Sequence, residues 1–473
     1  MHRPQPSAYR AETAIYSLGE AYYDPVEAAG FPQTILRFRN DRWAPAIGLG
    51  GLSDEEWLRH FGRFEPLPNN LIQPLALRYH GHQFRVYNPD IGDGRGFLFA
   101  QLRDNRDRLL DLGTKGSGQT PYSRFGDGRL TLKGGMREVL ATEMLEALGV
   151  ETSKTFSLIE TGEPLERNDE PSPTRSSVLV RLQHSHIRIG TFQRLAHIDQ
   201  PENIRILTDY CLQYYYGEGG GDGAPERLLA HVATQAARLA ASYIAAGFVH
   251  GVLNTDNIAI TAESFDYGPW RWTPFWDGAF TAAYFDHAGL YAFGRQPEAI
   301  HWNLLQLARS LLLVSTPEML EPVLNEFRPA FQRSLQEAIC ARLGVVPKVE
   351  GEEGKRLLVA IEQALSQKTV EIDRFFFDWR GGRRRGPSPA DESYASESFA
   401  DFRRIVEEYE PAECLDHPYW SGDAPVSMHI DEVEAIWNRI DRDDDWSAFY
   451  RKIDDIRAMG EAMAPKLDRM QET

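Results

Sequence analysis

From Phe97 the chain reads FLFAQL, and after a polar turn it reads LLDLGTKG from Leu109. Two short apolar runs bounded by polar residues predict two strands. SSVLVRLQ at 176–183 predicts a third, buried one. Between them the period changes. In GMREVLATEMLEALG (135–149) Met136, Val139, Leu140, Met144 and Leu148 recur every three or four residues, which predicts a helix stopped by Gly149. A long Ala-rich periodic stretch over 225–246 predicts a second helix, with Pro225 in its first turn. Residues 298–313 and 355–367 predict two more, and 248–260 a loop with short strands. The first eighty residues mix turns with short apolar runs and support no assignment. TGEPLERNDEPSPTR (161–175) reads as a polar loop, GGRRRGPSPADES (381–393) as a linker, and 394–473 as a charged helical tail. There is no internal repeat, because the echo of GDGR at 92–95 and 126–129 is too brief to count.

Strands gather early and helices late, so the order predicts an α+β protein and not a doubly wound sheet. It resembles a two-lobed, protein kinase-like fold. The expected divisions are an N-terminal extension (1–80), an N-lobe of strands plus one helix (81–190), a mainly helical C-lobe (191–380), the linker (381–393) and a helical C-terminal appendage (394–473). A length of 473 residues accommodates this, at roughly 100–200 residues per domain. The 42% hydrophobic and 25% charged residues are those of an ordinary globular protein. The net charge of −18 argues against general affinity for nucleic acid but leaves room for a local basic pocket. Cys211, Cys340 and Cys414 form no CxxC or zinc spacing. With no apolar signal core and no membrane-length run, they point to a reducing, cytoplasmic setting without a membrane partner.

Several segments carry candidate chemistry. Gly92-Asp93-Gly94-Arg95-Gly96 could bring backbone amides close to phosphate, and the strand-like FLFAQL after it predicts a hairpin setting instead of a Rossmann turn. Lys115 ends an apolar strand, and Glu138 opens the next helix. A strand lysine paired with a helix glutamate positions phosphate in kinase folds, although Glu138 also serves as a first-turn acid on the helix dipole. Residues 116–129 form a second glycine-rich loop holding Asp127 and Gly128. Arg181 and Arg188 could grip phosphate bidentately or lie on the surface. His184 and His186 have no second ligand cluster and read as structural. The strongest signal is His250-Gly251-Val252-Leu253-Asn254-Thr255-Asp256-Asn257. It is similar to the His-Gly-Asp-Leu-x-x-x-Asn loop of small-molecule kinases, with Asn257 at the metal-binding position. Val252 replaces the usual Asp base, so Asp256 is the nearby carboxylate on that loop. Asp266-Tyr267-Gly268 follows at the interval of a metal-binding Asp-Phe-Gly, and Asn257 with Asp266 makes a hard-oxygen site suited to Mg²⁺, with Mn²⁺ as an alternative. Asp277 is a competing acid further along.

GHQF (81–84), GDGR (92–95), KGSGQTPYSRFGDGR (115–129), REVL (137–140), Arg181 and Arg188, HGVLNTDN (250–257), DYGP (266–269) and QPEAIHWNLLQLA (296–308) together resemble the selenoprotein O family. This is a pseudokinase branch of the protein kinase-like superfamily. The resemblance implies a protein adenylyltransferase that binds ATP in a flipped orientation and moves AMP to protein hydroxyls, its own included. It implies that Lys115, Glu138, Arg181 and Arg188 serve the triphosphate. Gly92, Gly94, Arg95, Asp127, Gly128 and Asp266 would complete the nucleotide site, Asn257 and Asp266 would hold Mg²⁺, and Asp256 would be the base. Conventional phosphoryl transfer and an inactive nucleotide-binding module are the competing expectations. The chain departs from the family in Arg85 after GHQF, in residues 270–293, and in lacking a cysteine near residue 473. Substrate choice and redox control therefore do not carry over.

Overall fold

The computed structural model describes residues 5–168, 170–348, 352–412 and 415–464. The apolar runs become strands of one nine-stranded antiparallel sheet. Its members are β1 (Ala11–Glu12), β2 (Tyr23–Pro25), β3 (Ile35–Arg39), β4 (Leu75–Leu77), β7 (Leu98–Arg103), β8 (Leu109–Lys115), β9 (Leu130–Thr131), β10 (Lys154–Leu165) and β11 (Thr174–Gln183). The main path runs β2-β4-β7-β8-β11-β10-β3, with β1 on β7 and β9 on β11. Two small hairpins lie apart: β5 (Gly81–Gln83) with β6 (Val86–Asn88), and β12 (Phe248–Val249) with β13 (Arg271–Trp272). The first eighty residues, unassigned from sequence, thus supply four of the sheet's nine strands, β1 to β4. Each is too short to show a period.

One face of the sheet packs on α1 (Asp54–Phe61), where Trp57, Phe61, Phe99 and Phe156 interlock. The other face carries α2 (Leu132–Ala147), whose first turn is capped by the Thr131 hydroxyl. Met136, Val139, Leu140 and Met144 are buried as predicted, but so are most of the other positions of α2, polar Glu138, Thr142 and Glu143 among them. A helix buried all round needs cover on both sides.

The rest is helical among the described residues: α3 (Ile189–His197), α4 (Pro201–Cys211), α5 (Ala224–Ala246), α6 (Gln296–Leu311), α7 (Pro317–Asn325), α8 (Phe327–Leu343), α9 (Glu352–Leu365), α10 (Ile372–Asp378), α11 (Asp391–Ala395), α12 (Ala400–Val406), α13 (Ile430–Asp443) and α14 (Ser447–Met463). The four helices predicted from periodicity are α2, α5, α6 and α9, each shifted by up to three residues. No helix among the described residues is long and apolar enough to cross a membrane.

The second cover on α2 is the C-terminal helix pair. α14 lies along α2, and Arg457 grips Glu143 with two 2.8 Å bonds. On α13, Glu434 takes Lys133 at 2.7 Å, and the following Asp444 takes Arg175 at 2.7 Å. Glu143 is only 2% exposed, so removing its partner strands a carboxylate in the core. Arg457→Ala should cost about 2 kcal/mol, a buried-pair loss discounted for the partly exposed arginine. Thermal denaturation checks it, and an unchanged Tm would show that the pair contributes nothing net.

Candidate active site

Sheet register brings the cations together. Leu179 of β11 pairs with Lys115 of β8, and Arg181 pairs with Gly113, so Lys115 and Arg181 share a face. Lys115 Nζ is 2.6 Å from Glu138 Oε2 and 2.9 Å from Asp266 Oδ1. Arg181 lies 3.8 Å from Glu138 and 3.7 Å from Asp266, and Arg188 lies 3.8 Å from Asp266. Burial works to raise the Asp266 carboxyl, but Lys115, Arg181 and Arg188 overcome it and hold the group well below the usual carboxylate range. Asp266 also sits in the left-handed region at φ +61°. Aspartate tolerates that conformation better than most residues, and such strain persists where surrounding contacts impose it.

The loop after β12 is braced from α6. The Gln296 side chain accepts from His250 N–H at 3.0 Å and donates to Phe248 O at 2.8 Å, while Asn303 donates to Leu253 O at 2.9 Å. His250 is fixed in turn against Phe265 O at 2.9 Å. The loop ends in one tight helical turn, Thr255–Asn257, that presents Asp256 and Asn257 together. Asn257 Nδ2 lies 3.1 Å from Asp266 Oδ2. Arg188 Nη1 donates to the Asp256 carbonyl at 2.9 Å. Burial pushes the Asp256 carboxyl up to about 6, with Arg188 opposing the rise. Its Oδ1 is buried and has no hydrogen-bond partner.

Lys115, Arg181, Arg188, Asp256 and Asp266 line a cleft of about 660 Å³ that also takes in Gly92, Gly94, Arg95, Asp127 and Gly128. The predicted hairpin at Gly92 needs correction. β4 and β7 are paired, with Leu75 opposite Leu98, but the connection between them is long and contains the separate β5–β6 hairpin. The glycine run is the last part of that connection. Asp93 anchors it from beneath, bonding His186 at 2.8 Å, Arg188 at 3.1 Å and the Leu77 amide at 3.0 Å. The second glycine loop closes at its neck, where Gly118 N–H donates to Gly128 O at 3.1 Å. Both glycines are left-handed, and a Cβ on Gly128 would lie 2.3 Å from the Gly118 carbonyl carbon. No larger residue fits there. Arg167, from the polar loop, reaches over to Asp127 at 2.8 Å.

The structure therefore brings Gly92, Gly94, Arg95, Lys115, Asp127, Gly128, Arg181, Arg188, Asp256 and Asp266 into one cleft. Glu138 and Asn257 touch the cleft's lining through Lys115 and Asp266. His186 is structural in the sense predicted, since it holds Asp93, and His184 is packed on Tyr215. Asp277 is bound to Lys368 at 2.7 Å and lies outside the cleft lining. Cys211 and Cys340 are buried free thiols, and Cys414 lies outside the described residues. Sequence reasoning missed Asp93, Arg167 and Gln83 as working parts of the site. The only available signal was that each sits in or beside a motif already singled out.

Buried cations collected at one end of a cleft, with a carboxylate at its side, suit a polyanionic substrate and a proton to be removed. Comparison with known proteins agrees with that chemistry. Residues 7–457 match the family model for protein adenylyltransferase SelO. The chain is 42% identical over 465 residues to the protein nucleotidyltransferase YdiU of a Synechocystis species, covering 93% of this chain and 96% of that one. It is 44% identical over 468 residues to the Gloeobacter violaceus protein of the same name, covering 94% of each. It is 35% identical over 341 residues to that of Vibrio cholerae, covering 71% of this chain and 68% of the other. The chain belongs to the SelO family of protein adenylyltransferases.

Proposed function

We propose that this nucleotidyltransferase moves AMP from Mg-ATP to Ser, Thr or Tyr hydroxyls of proteins, itself included, releasing pyrophosphate. The observation that carries this reading is the pairing of Asp256, whose Oδ1 lacks a partner, with a deep cluster of Lys115, Arg181 and Arg188. Each of the three cations is at most 5% exposed. A triphosphate entering with its β- and γ-phosphates among them is inverted relative to a conventional kinase, and its α-phosphorus then faces Asp256. Arg181 Nε and Nη1 and Arg188 Nε are buried without hydrogen-bond partners, which fits cations that complete their bonding with phosphate. The strand lysine, helix glutamate and braced loop support a two-lobed kinase-like scaffold. Its parts are 81–190 and 191–380, an extension 1–80, a linker 381–393 and an appendage 394–473. Three cysteines without a redox motif suit a cytoplasmic enzyme.

Asn257 and Asp266 are the residues that would hold Mg²⁺. Among the described residues no cluster of three His, Cys, Asp or Glu forms a metal site alone. That fits Mg²⁺, which commonly takes one or two protein ligands and completes its shell with phosphate and water. When bound, the ion supplies charge stabilisation to the phosphates. The Asp256 carboxylate accepts the proton as the acceptor oxygen bonds to the α-phosphorus. The bond from that phosphorus to pyrophosphate breaks, and the leaving charge is met by Lys115, Arg181 and Arg188. Gly92, Gly94, Arg95, Asp127 and Gly128 shape the cleft around the remaining nucleotide.

Intact mass after incubation with Mg²⁺, ATP and dephosphorylated casein tests the reading. An adenylate-sized increment on casein or on the chain is expected. A phosphate-sized increment would mean conventional kinase orientation and overturn it.

A further inference from the structure

We infer that Gln83 is a positioning residue for Asp256: its amide, set by Asn88, donates to the Asp256 carboxylate and aims the base at the acceptor hydroxyl. This role rests on Asp256 being the base, as proposed above. The β5–β6 hairpin lies directly on the loop that carries Asp256. His82 N–H donates to Thr255 Oγ1 at 2.7 Å, and Phe84 N–H donates to Asn254 Oδ1 at 3.0 Å. Gln83 sits between these two tethers and lines the cleft beside Asp256. The approach is close enough that a Cβ on Gly81 would stand 2.9 Å from Asp256 Oδ1.

The hairpin is rigid at its tip. Phe84 and Arg85, at φ +50° and +64°, form a two-residue turn with both residues left-handed. For non-glycine residues this costs roughly 1–2 kcal/mol each and persists only under surrounding restraint. Arg85 is held by Glu298 at 3.1 Å and lies over the Trp302 ring.

The amide has one donor end and one acceptor end. Asn88 Nδ2 donates to Gln83 Oε1 at 3.0 Å. With the oxygen engaged, the NH₂ end is the one left for Asp256. Reversing the amide would set two NH₂ groups against each other and a carbonyl against a carboxylate. Gln83 thus steadies the carboxylate while Oδ1 stays unpartnered for the acceptor.

The test measures transfer of labelled AMP to dephosphorylated casein and to the chain itself, beside calorimetric binding of Mg-ATP. Gln83→Ala should lower kcat about 10–100-fold, the scale of a misplaced reacting group, with KM and Kd for Mg-ATP within about twofold of wild type. Asn88→Asp keeps the size but turns the donor facing Gln83 into an acceptor. The Gln83 amide then reverses and kcat falls comparably, with the Tm held. A kcat within twofold of wild type in either folded variant, or a loss carried by Mg-ATP affinity, overturns the role. Asp256→Ala runs alongside. Turnover in that variant removes the base assignment itself, whereas a dead Asp256→Ala beside a fully active Gln83→Ala removes only the part given to Gln83.

Discussion

Asp256→Ala lowers AMP transfer about 10²–10⁴-fold, the range spanned by a general base, and leaves Mg-ATP affinity within a few-fold of wild type. The asymmetry follows from where the side chain sits. Its Oδ1 bonds to nothing, and the contact that Arg188 makes here is with the Asp256 backbone carbonyl, which alanine keeps. The phosphate-facing cations are therefore undisturbed. As the proposed base, the same carboxyl should set the pH dependence of the wild-type enzyme. Burial raises it to about 6, and only the ionised form accepts a proton. The kcat/KM of the wild type should fall as pH drops through about 6, with the limb absent from the residual activity of the variant. Initial rates of AMP incorporation from pH 5 to 8, with calorimetry for ATP, give both readouts. Intact turnover in Asp256→Ala would remove the base from this position.

Asp266→Ala acts on binding instead. This carboxylate is the common counter-ion of Lys115, Arg181 and Arg188 and the partner of Asn257. If Asn257 and Asp266 hold Mg²⁺ as proposed, the ion would lose the one charged group of the pair, so Mg-ATP affinity should weaken about tenfold or more, one bound-ion interaction at ~1.4 kcal/mol per decade. The three cations lose a competitor at the same time. In EDTA the variant should bind ATP at least as tightly as the wild type does. Calorimetric titrations with and without Mg²⁺ measure the pair of effects. Equal weakening in both conditions would mean that Asp266 supports the cleft's shape and does not serve the metal.

The site was legible where chemistry is written in contiguous letters. HGVLNTDN lies within one braced loop, Lys115 ends β8, and Glu138 lies inside the clearly periodic α2, in its second turn and not in the first as expected. Gln83 was not legible as a working residue, because its role depends on a hairpin folding onto a loop more than 170 residues away. Asp93 was hidden in the same way: its partners His186 and Arg188 come from the far side of β11. In the fold, α2, α5, α6 and β8 showed themselves by period. The strands before residue 80 did not, since runs of two to five residues carry no period to read. The glycine-rich turn misled because the strand after it was visible, whereas the true partner strand, β4, lies 20 residues before it in three short letters.

The embrace of α2 by α13 and α14 has a consequence for synthesis. Arg457 and Glu143 are 314 positions apart. On the ribosome, where chains fold from the N-terminus onward at about 5–20 residues per second, the sheet and α2 emerge long before their outer cover. Until α14 is free, Glu143, Lys133 and the apolar back of α2 face the solvent or a chaperone, and the helix that carries Glu138 has support on one side only. The nascent chain thus carries Lys115 and Glu138 on elements covered from one side only while most of its residues are already made.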